Sequence, residues 1–156
     1  MTASEIRTLL GIETYVLSSN VAFDSNDTLI LESATLLTDA TYVFSACLFI
    51  QEEISEYVAV SVDCSEDGAE LRAAFMGKSP LWSAADGLGY HPVYVYNTDE
   101  IGDPVVFYEN TEDYTVHING TIVMPSTGSP TIQIRCKGYA TGLVFRLSNL
   151  NITQVV

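Results

Sequence analysis

Residues 41–50, Thr-Tyr-Val-Phe-Ser-Ala-Cys-Leu-Phe-Ile, decide how this chain folds. In an extended strand, successive side chains point to opposite faces. One face then carries Tyr42, Phe44, Ala46, Leu48 and Ile50, and the other carries Val43, Ser45, Cys47 and Phe49. Both faces are apolar. A strand of this kind needs cover on both sides, one from its own core and one from a neighbouring subunit.

The same two-residue period recurs on either side of this stretch. In 57–64, Val58, Val60, Val62 and Cys64 share a face opposite Tyr57, Ala59, Ser61 and Asp63. In 131–137, Ile132, Ile134 and Cys136 point one way and Thr131, Gln133, Arg135 and Lys137 the other. In 114–124, Tyr114, Val116, Ile118, Gly120, Ile122 and Met124 oppose Thr115, His117, Asn119, Thr121 and Val123. Further strands are expected at 13–18, 28–37, 70–76, 92–96, 104–108 and 142–153. Turn signals separate them: DSND at 24–27, EDG at 66–68, DEIGDP at 99–104 and PSTGSP at 125–130. Clean alternation at this density predicts an all-β, antiparallel sandwich. Roughly eight main strands with longer insertions fit a jelly roll better than an immunoglobulin-like domain.

Residues 2–11 hold the one helix candidate. Thr2 and Glu5 have capping-box spacing, and Ile6, Leu9 and Leu10 form an apolar stripe before Gly11. Such a segment is too short to stand alone and must dock. The expected organisation is an N-terminal arm or short helix at 1–15 and a jelly-roll domain at 16–156. Residues 77–91, with the single Trp, interrupt the strand rhythm and read as a recognition loop.

The 156 residues are enough for one domain with a substantial core. Hydrophobic residues make up 47% and charged residues only 17%, so an assembly, which needs less polar surface per chain, is the simpler expectation. Six Lys and Arg against twenty Asp and Glu give a net charge of −14. That sign disfavours nucleic acid and anionic membrane as partners. All twenty acids precede residue 114, while 114–156 holds three bases and no acid. This acid-free stretch reads either as the most buried strands or as a contact surface. No apolar run reaches the length of a membrane span, and MTASEIRTLL does not read as a signal peptide. Three cysteines without close pairs argue against a disulfide framework.

Motifs for acyl transfer, phosphoryl transfer and dinucleotide binding are missing, and no catalytic residue is nominated. His91 and His117 have no ligand spacing around them, so no metal and no cofactor is expected. The acidic turns Asp24–Asp27, Asp63–Asp67 and Asp99–Asp103 offer oxygen ligands for calcium as a weaker alternative, but acids favour turns for local reasons too. Trp82 and Tyr90 are the candidate ligand-binding residues, as a stacking platform for a surface glycan. The interface candidates are Ile6, Leu9 and Leu10 in the arm, and Arg135, Lys137 and Arg146 in the acid-free stretch.

Four segments in order carry a family resemblance: Tyr42-Val43-Phe44-Ser45-Ala46, then Asp113-Tyr114-Thr115-Val116-His117-Ile118-Asn119-Gly120-Thr121-Ile122, then Pro130-Thr131-Ile132-Gln133-Ile134, then Val144 to Ile152. This order resembles the tumour-necrosis-factor-like or carbohydrate-module-like jelly rolls of bacteriophage virion proteins, over about residues 28–155. The resemblance implies a homotrimer on a virus particle, assembled in the host cytoplasm. With no shaft before the domain, it implies a capsid cement or decoration protein partnered by the major capsid protein. A receptor- or carbohydrate-binding tip of a head or tail fibre is the alternative. The family supplies no catalytic residue.

Overall fold

A computed structural model describes residues 2, 11–52, 57–78, 93–107 and 113–155, with backbone alone for 52, 78, 93–96, 113 and 114. The described residues form twelve strands and no helix. These are β1 (Ile12–Val16), β2 (Val21–Phe23), β3 (Thr28–Glu32), β4 (Thr41–Glu52), β5 (Val58–Cys64), β6 (Glu70–Lys78), β7 (Val93–Thr98), β8 (Val105–Phe107), β9 (Asp113–Val123), β10 (Ile132–Gly138), β11 (Gly142–Val144) and β12 (Asn149–Gln154).

They build two antiparallel sheets. The larger runs β1-β12-β4-β9-β6-β7, with β11 also on β4 and β2 on β11; the smaller runs β3-β10-β5-β8. From β3 to β12 the chain alternates between the sheets, except that β6 and β7 pair directly in the large one and β11 and β12 both pair with β4 there. The inward faces are those read from the alternation. Phe44, Leu48, Ile50, Ile118, Ile122, Leu150 and Ile152 of the large sheet meet Val58, Val60, Val62, Ile132, Ile134 and Cys136 of the small one in a single buried cluster. The all-β antiparallel sandwich expected from the sequence is therefore the fold.

Two glycines show how tightly the sheets interlock. Gly120 lies opposite Phe44 on β4 and Ala73 on β6, and the Phe44 ring covers it where a Cβ would stand. Gly77 on β6 is covered by the ring of Phe107, which comes from the other sheet.

The strand expected over 142–153 is two strands. At 145–148 the chain leaves the sheet, and Leu147 adopts a left-handed φ of 73°, a conformation that no Gly or Asn announces. The break is repaired locally. Ser148, fully buried, accepts the Phe49 amide on its hydroxyl at 3.0 Å, and the Leu17 and Leu147 amides reach across to Ser148 and Leu17 carbonyls. Strand β2 has only three residues and escapes a pattern search. Residues 33–37, expected to prolong β3, belong instead to the segment 33–40 that crosses between sheets, with Ser33 holding the Ile132 amide at 3.0 Å. The expected helix at 2–11 lies almost wholly outside the described residues, while residues 12–15 of the expected arm belong to β1, paired with β12.

Candidate interaction surface

The outward face of the large sheet follows directly from the register. On β4 it shows Thr41, Val43, Ser45, Cys47 and Phe49; on β9 their partners are Val123, Thr121, Asn119, His117 and Thr115. On the other side, β12 adds Thr153, Asn151 and Asn149, and β1 adds Ile12, Thr14 and Val16. At these outward positions there is no Asp, Glu, Lys or Arg. Charge enters at the margins: Asp113, opposite Gln51, stands at the end of β9, and Glu70, Arg72 and Lys78 occupy outward positions of β6. A face whose middle is free of charge over four strands contrasts with the net charge of −14 of the chain.

The face is also partly apolar. Val16 is 50% exposed, Val43 45% and Phe49 40%. Its polar groups on β1 and β12 are tied together: the Thr14 hydroxyl donates to Asn151 at 2.9 Å, and the Asn151 amide donates to Asn149 at 3.1 Å. Bridged in this way, they ask for less from water than free amides do, which lowers the cost of covering them.

The acids gather elsewhere. The β5–β6 turn carries Glu66 and Asp67, the β7–β8 turn carries Asp99, Glu100 and Asp103, and Asp39 precedes β4. Backbone bonds bring these turns to one end of the sandwich: Gly102 to Val62, Asp39 to Pro125 and Met124 to Ala40, while Glu66 accepts the Ser129 amide. Among the described residues no three His, Cys, Asp or Glu side chains come together as a cation site.

The sequence-nominated residues are dispersed. Arg135 and Lys137 lie on the outer face of the small sheet, and Arg135 is paired with Asp27 at 2.9 Å and lies 3.8 Å from Asp63. Arg146 is exposed in the β11–β12 turn, where its amide donates to Asn20. The three bases thus do not form one surface. Trp82, Tyr90, Ile6, Leu9 and Leu10 lie outside the described residues. Cys47 and His117 are opposite each other on the outward face. A cysteine nucleophile needs a lowered pKa, whereas burial pushes the Cys47 thiol up. Burial raises Cys64 as well, and raises the fully enclosed Cys136 most of all. These thiols are packing groups.

Two depressions mark this face. A groove of about 530 Å³ is lined by Arg72, Ala73, Ala74, Asn97, Thr98, Asp99 and Asn119. A second, of about 340 Å³, lies on the other flank of Arg72 against Glu70, Thr121 and Val123. Nothing in the sequence pattern singles them out, because they arise where β9, β6 and β7 run side by side.

No family model matches the chain, and no curated protein does. Among solved structures it is similar to the infectious bursal disease virus VP2 subviral particle, at 9% identity and a TM-score of 0.24, over 93% of this chain and 41% of that one. It is similar also to the structure of the infectious bursal disease virus Gx strain, at 12% identity and a TM-score of 0.20, over 92% and 40%. The chain spans about two fifths of the length of these structures. At such TM-scores neither likeness carries an argument about function.

Proposed function

We propose that this chain is a non-enzymatic structural subunit of a virus particle: a homotrimeric decoration protein that braces a shell of major capsid protein, most simply that of a bacteriophage. The observation that carries the assembly is the uncharged outward face of β1, β12, β4 and β9, with Val16, Val43 and Phe49 exposed on it. Copies of a chain with net charge −14 repel one another over most approaches. Through this face they meet without like-charge contact and bury apolar area worth about 25 cal/mol per Å². Obligate interfaces resemble a core cut in half, and the doubly apolar β4 has that character.

The virion setting draws support from the winding. With the β6–β7 hairpin and the short β2 and β11 set aside, the sheets read β1-β12-β4-β9 and β3-β10-β5-β8. We read this as the eight-stranded, two-Greek-key order of a jelly roll, an architecture of viral capsid and lectin domains.

Two measurements test the reading. Sedimentation or native mass spectrometry of the wild type gives a trimer, and Val43→Glu with Phe49→Glu gives a folded monomer. A monomeric wild type removes the assembly. Mass spectrometry of purified particles then finds the chain on the capsid; its absence from particles ends the virion role.

A further inference from the structure

We infer that the groove over β6, between β9 and β7, is a binding site for a neutral saccharide chain. It borders the face proposed for assembly and shares Asn119, Thr121 and Val123 of β9 with it, but the argument for the groove rests on β6 and β7 and does not use that assembly.

The argument starts from the floor. Ala74 occupies the outward position of β6 between Asn119 on β9 and Asn97 on β7. Its small side chain leaves open a space that a larger residue would fill. The walls carry hydrogen-bonding groups with no side-chain partner among the described residues. Among the described residues the ion pairs are those of Arg135, so the Arg72 guanidinium is unpaired although Asp99 lines the same groove. No side-chain hydrogen bond engages Asn97, Asn119 or Asp99 among the described residues. The two depressions, about 530 and 340 Å³ on either flank of Arg72, fall within the range of small-molecule sites.

The chemistry selects the ligand. A carboxamide both donates and accepts, a guanidinium only donates and a carboxylate only accepts. Outward positions on neighbouring strands are about 4.8 Å apart, so a ligand here meets donors and acceptors in close alternation. Hydroxyl groups, which serve as both, match that pattern. An anionic ligand meets Asp99 and Glu70 at the margins and a molecule of net charge −14 behind them. A cationic one meets Arg72 at the centre. An apolar one meets Ala69, Ala73, Ala74, Leu71 and Val123, but to sit on them it must strip water from Arg72, Asp99, Asn97 and Asn119 without replacing their hydrogen bonds. A neutral polyhydroxy ligand faces none of these penalties.

The experiment uses the full chain labelled with ¹⁵N and four probes: maltotriose, cellotriose, tri-N-acetylchitotriose and 3′-sialyllactose. At least one neutral probe shifts backbone amides of β6, β7 and β9 at concentrations up to about 10 mM, the weak end of single-site recognition. Asn119→Ala and Ala74→Trp each weaken that binding about tenfold or more, with melting unchanged, and Lys137→Gln on the opposite sheet leaves it as it was. No neutral probe bound, binding of 3′-sialyllactose alone, or binding indifferent to both groove variants overturns the inference. Because Asn119 also stands on the face proposed for assembly, Ala74→Trp on β6 is the variant that separates the two, with sedimentation run on each sample: a monomer that binds keeps the groove and loses the trimer, and a trimer that does not bind does the reverse.

Discussion

Replacing Gly120 by alanine tests the packing of the sandwich at a single atom. Gly120 has no left-handed φ, so the backbone accepts any residue, and the whole effect must come from contacts. An added Cβ would stand 2.6 Å from Cζ of Phe44 and 2.7 Å from the carbonyl oxygen of Arg72, against 3.4 Å for ordinary contact. The shortfall is about 0.8 Å against the ring, which is buried at 2% exposure. Moving the ring displaces the core, and moving the carbonyl disturbs the β6–β9 ladder. Overpacking of this kind costs about 1–3 kcal/mol, and the stiffer unfolded chain returns about 0.4–1 kcal/mol. The net loss is about 1–2 kcal/mol, equivalent to a fall of roughly 3–8 °C in Tm for a domain of this size. Urea unfolding with an unchanged m-value measures it. Phe44→Leu costs stability by itself, but in that background Gly120→Ala costs less, because only the carbonyl contact remains. The coupling is about 0.5 kcal/mol or more. A Gly120→Ala protein within about 0.5 kcal/mol of wild type, or an equal cost in both backgrounds, refutes the packing argument.

The other predictions concern titration and thiol access. Hydrogen bonds from Gln133 and Thr131 hold the Glu32 carboxyl below the ordinary 4.5, with Arg135 adding to the effect. A depressed folded value means that Glu32 contributes stability above its unfolded pKa and loses it as pH falls through the folded one. Carboxyl NMR should place its midpoint under 4.5, and Gln133→Ala with Thr131→Val should raise it; an unmoved midpoint contradicts the assignment. Among the thiols, half-buried Cys47 should react first with a maleimide in the native protein, and fully enclosed Cys136 only on unfolding. If copies pack as proposed, Cys47 should also react more slowly in the wild type than in the Val43→Glu, Phe49→Glu variant; equal rates would place it away from the contact.

The sandwich was legible because its inward positions repeat every two residues, and that period survives in β4, β5, β9 and β10 whatever their neighbours. What escaped the pattern depends on context. The break at 145–148 turns on a leucine in a left-handed conformation, held by hydrogen bonds to Leu17 and Phe49 from other parts of the chain. On β5, Ala59 and Ser61 belong to the polar period yet are buried, because β5 lies between β10 and β8 and small side chains sink among longer ones. The bases nominated as an interface were chosen by sequence proximity, but strand pairing spends Arg135 on Asp27, contributed from the β2–β3 turn. The groove beside Arg72 leaves no sequence signal, since its walls come from three strands far apart in the chain.

The acid-free stretch from residue 114 onward presents two physical explanations, and the structure gives each its own strands. Strand β10 lies between β3 and β5, and its inward residues are fully buried; here the lack of acids reflects a central place in the core. Strands β9 and β12 flank β4, and their inward residues also fill the core, but their outward residues are Thr, Asn, His and Val on an open face. Core burial does not explain why those outward positions lack carboxylates. Acids are plentiful in this chain and crowd the turns at one end of the same sandwich. Their exclusion from one broad face, with Val16, Val43 and Phe49 exposed across it, is the pattern expected of a surface that must lose its water against another copy. A single carboxylate introduced at Ser45, between Asn151 and Asn119 near the middle of that face, is therefore a sharper probe of assembly than any change among the acidic turns.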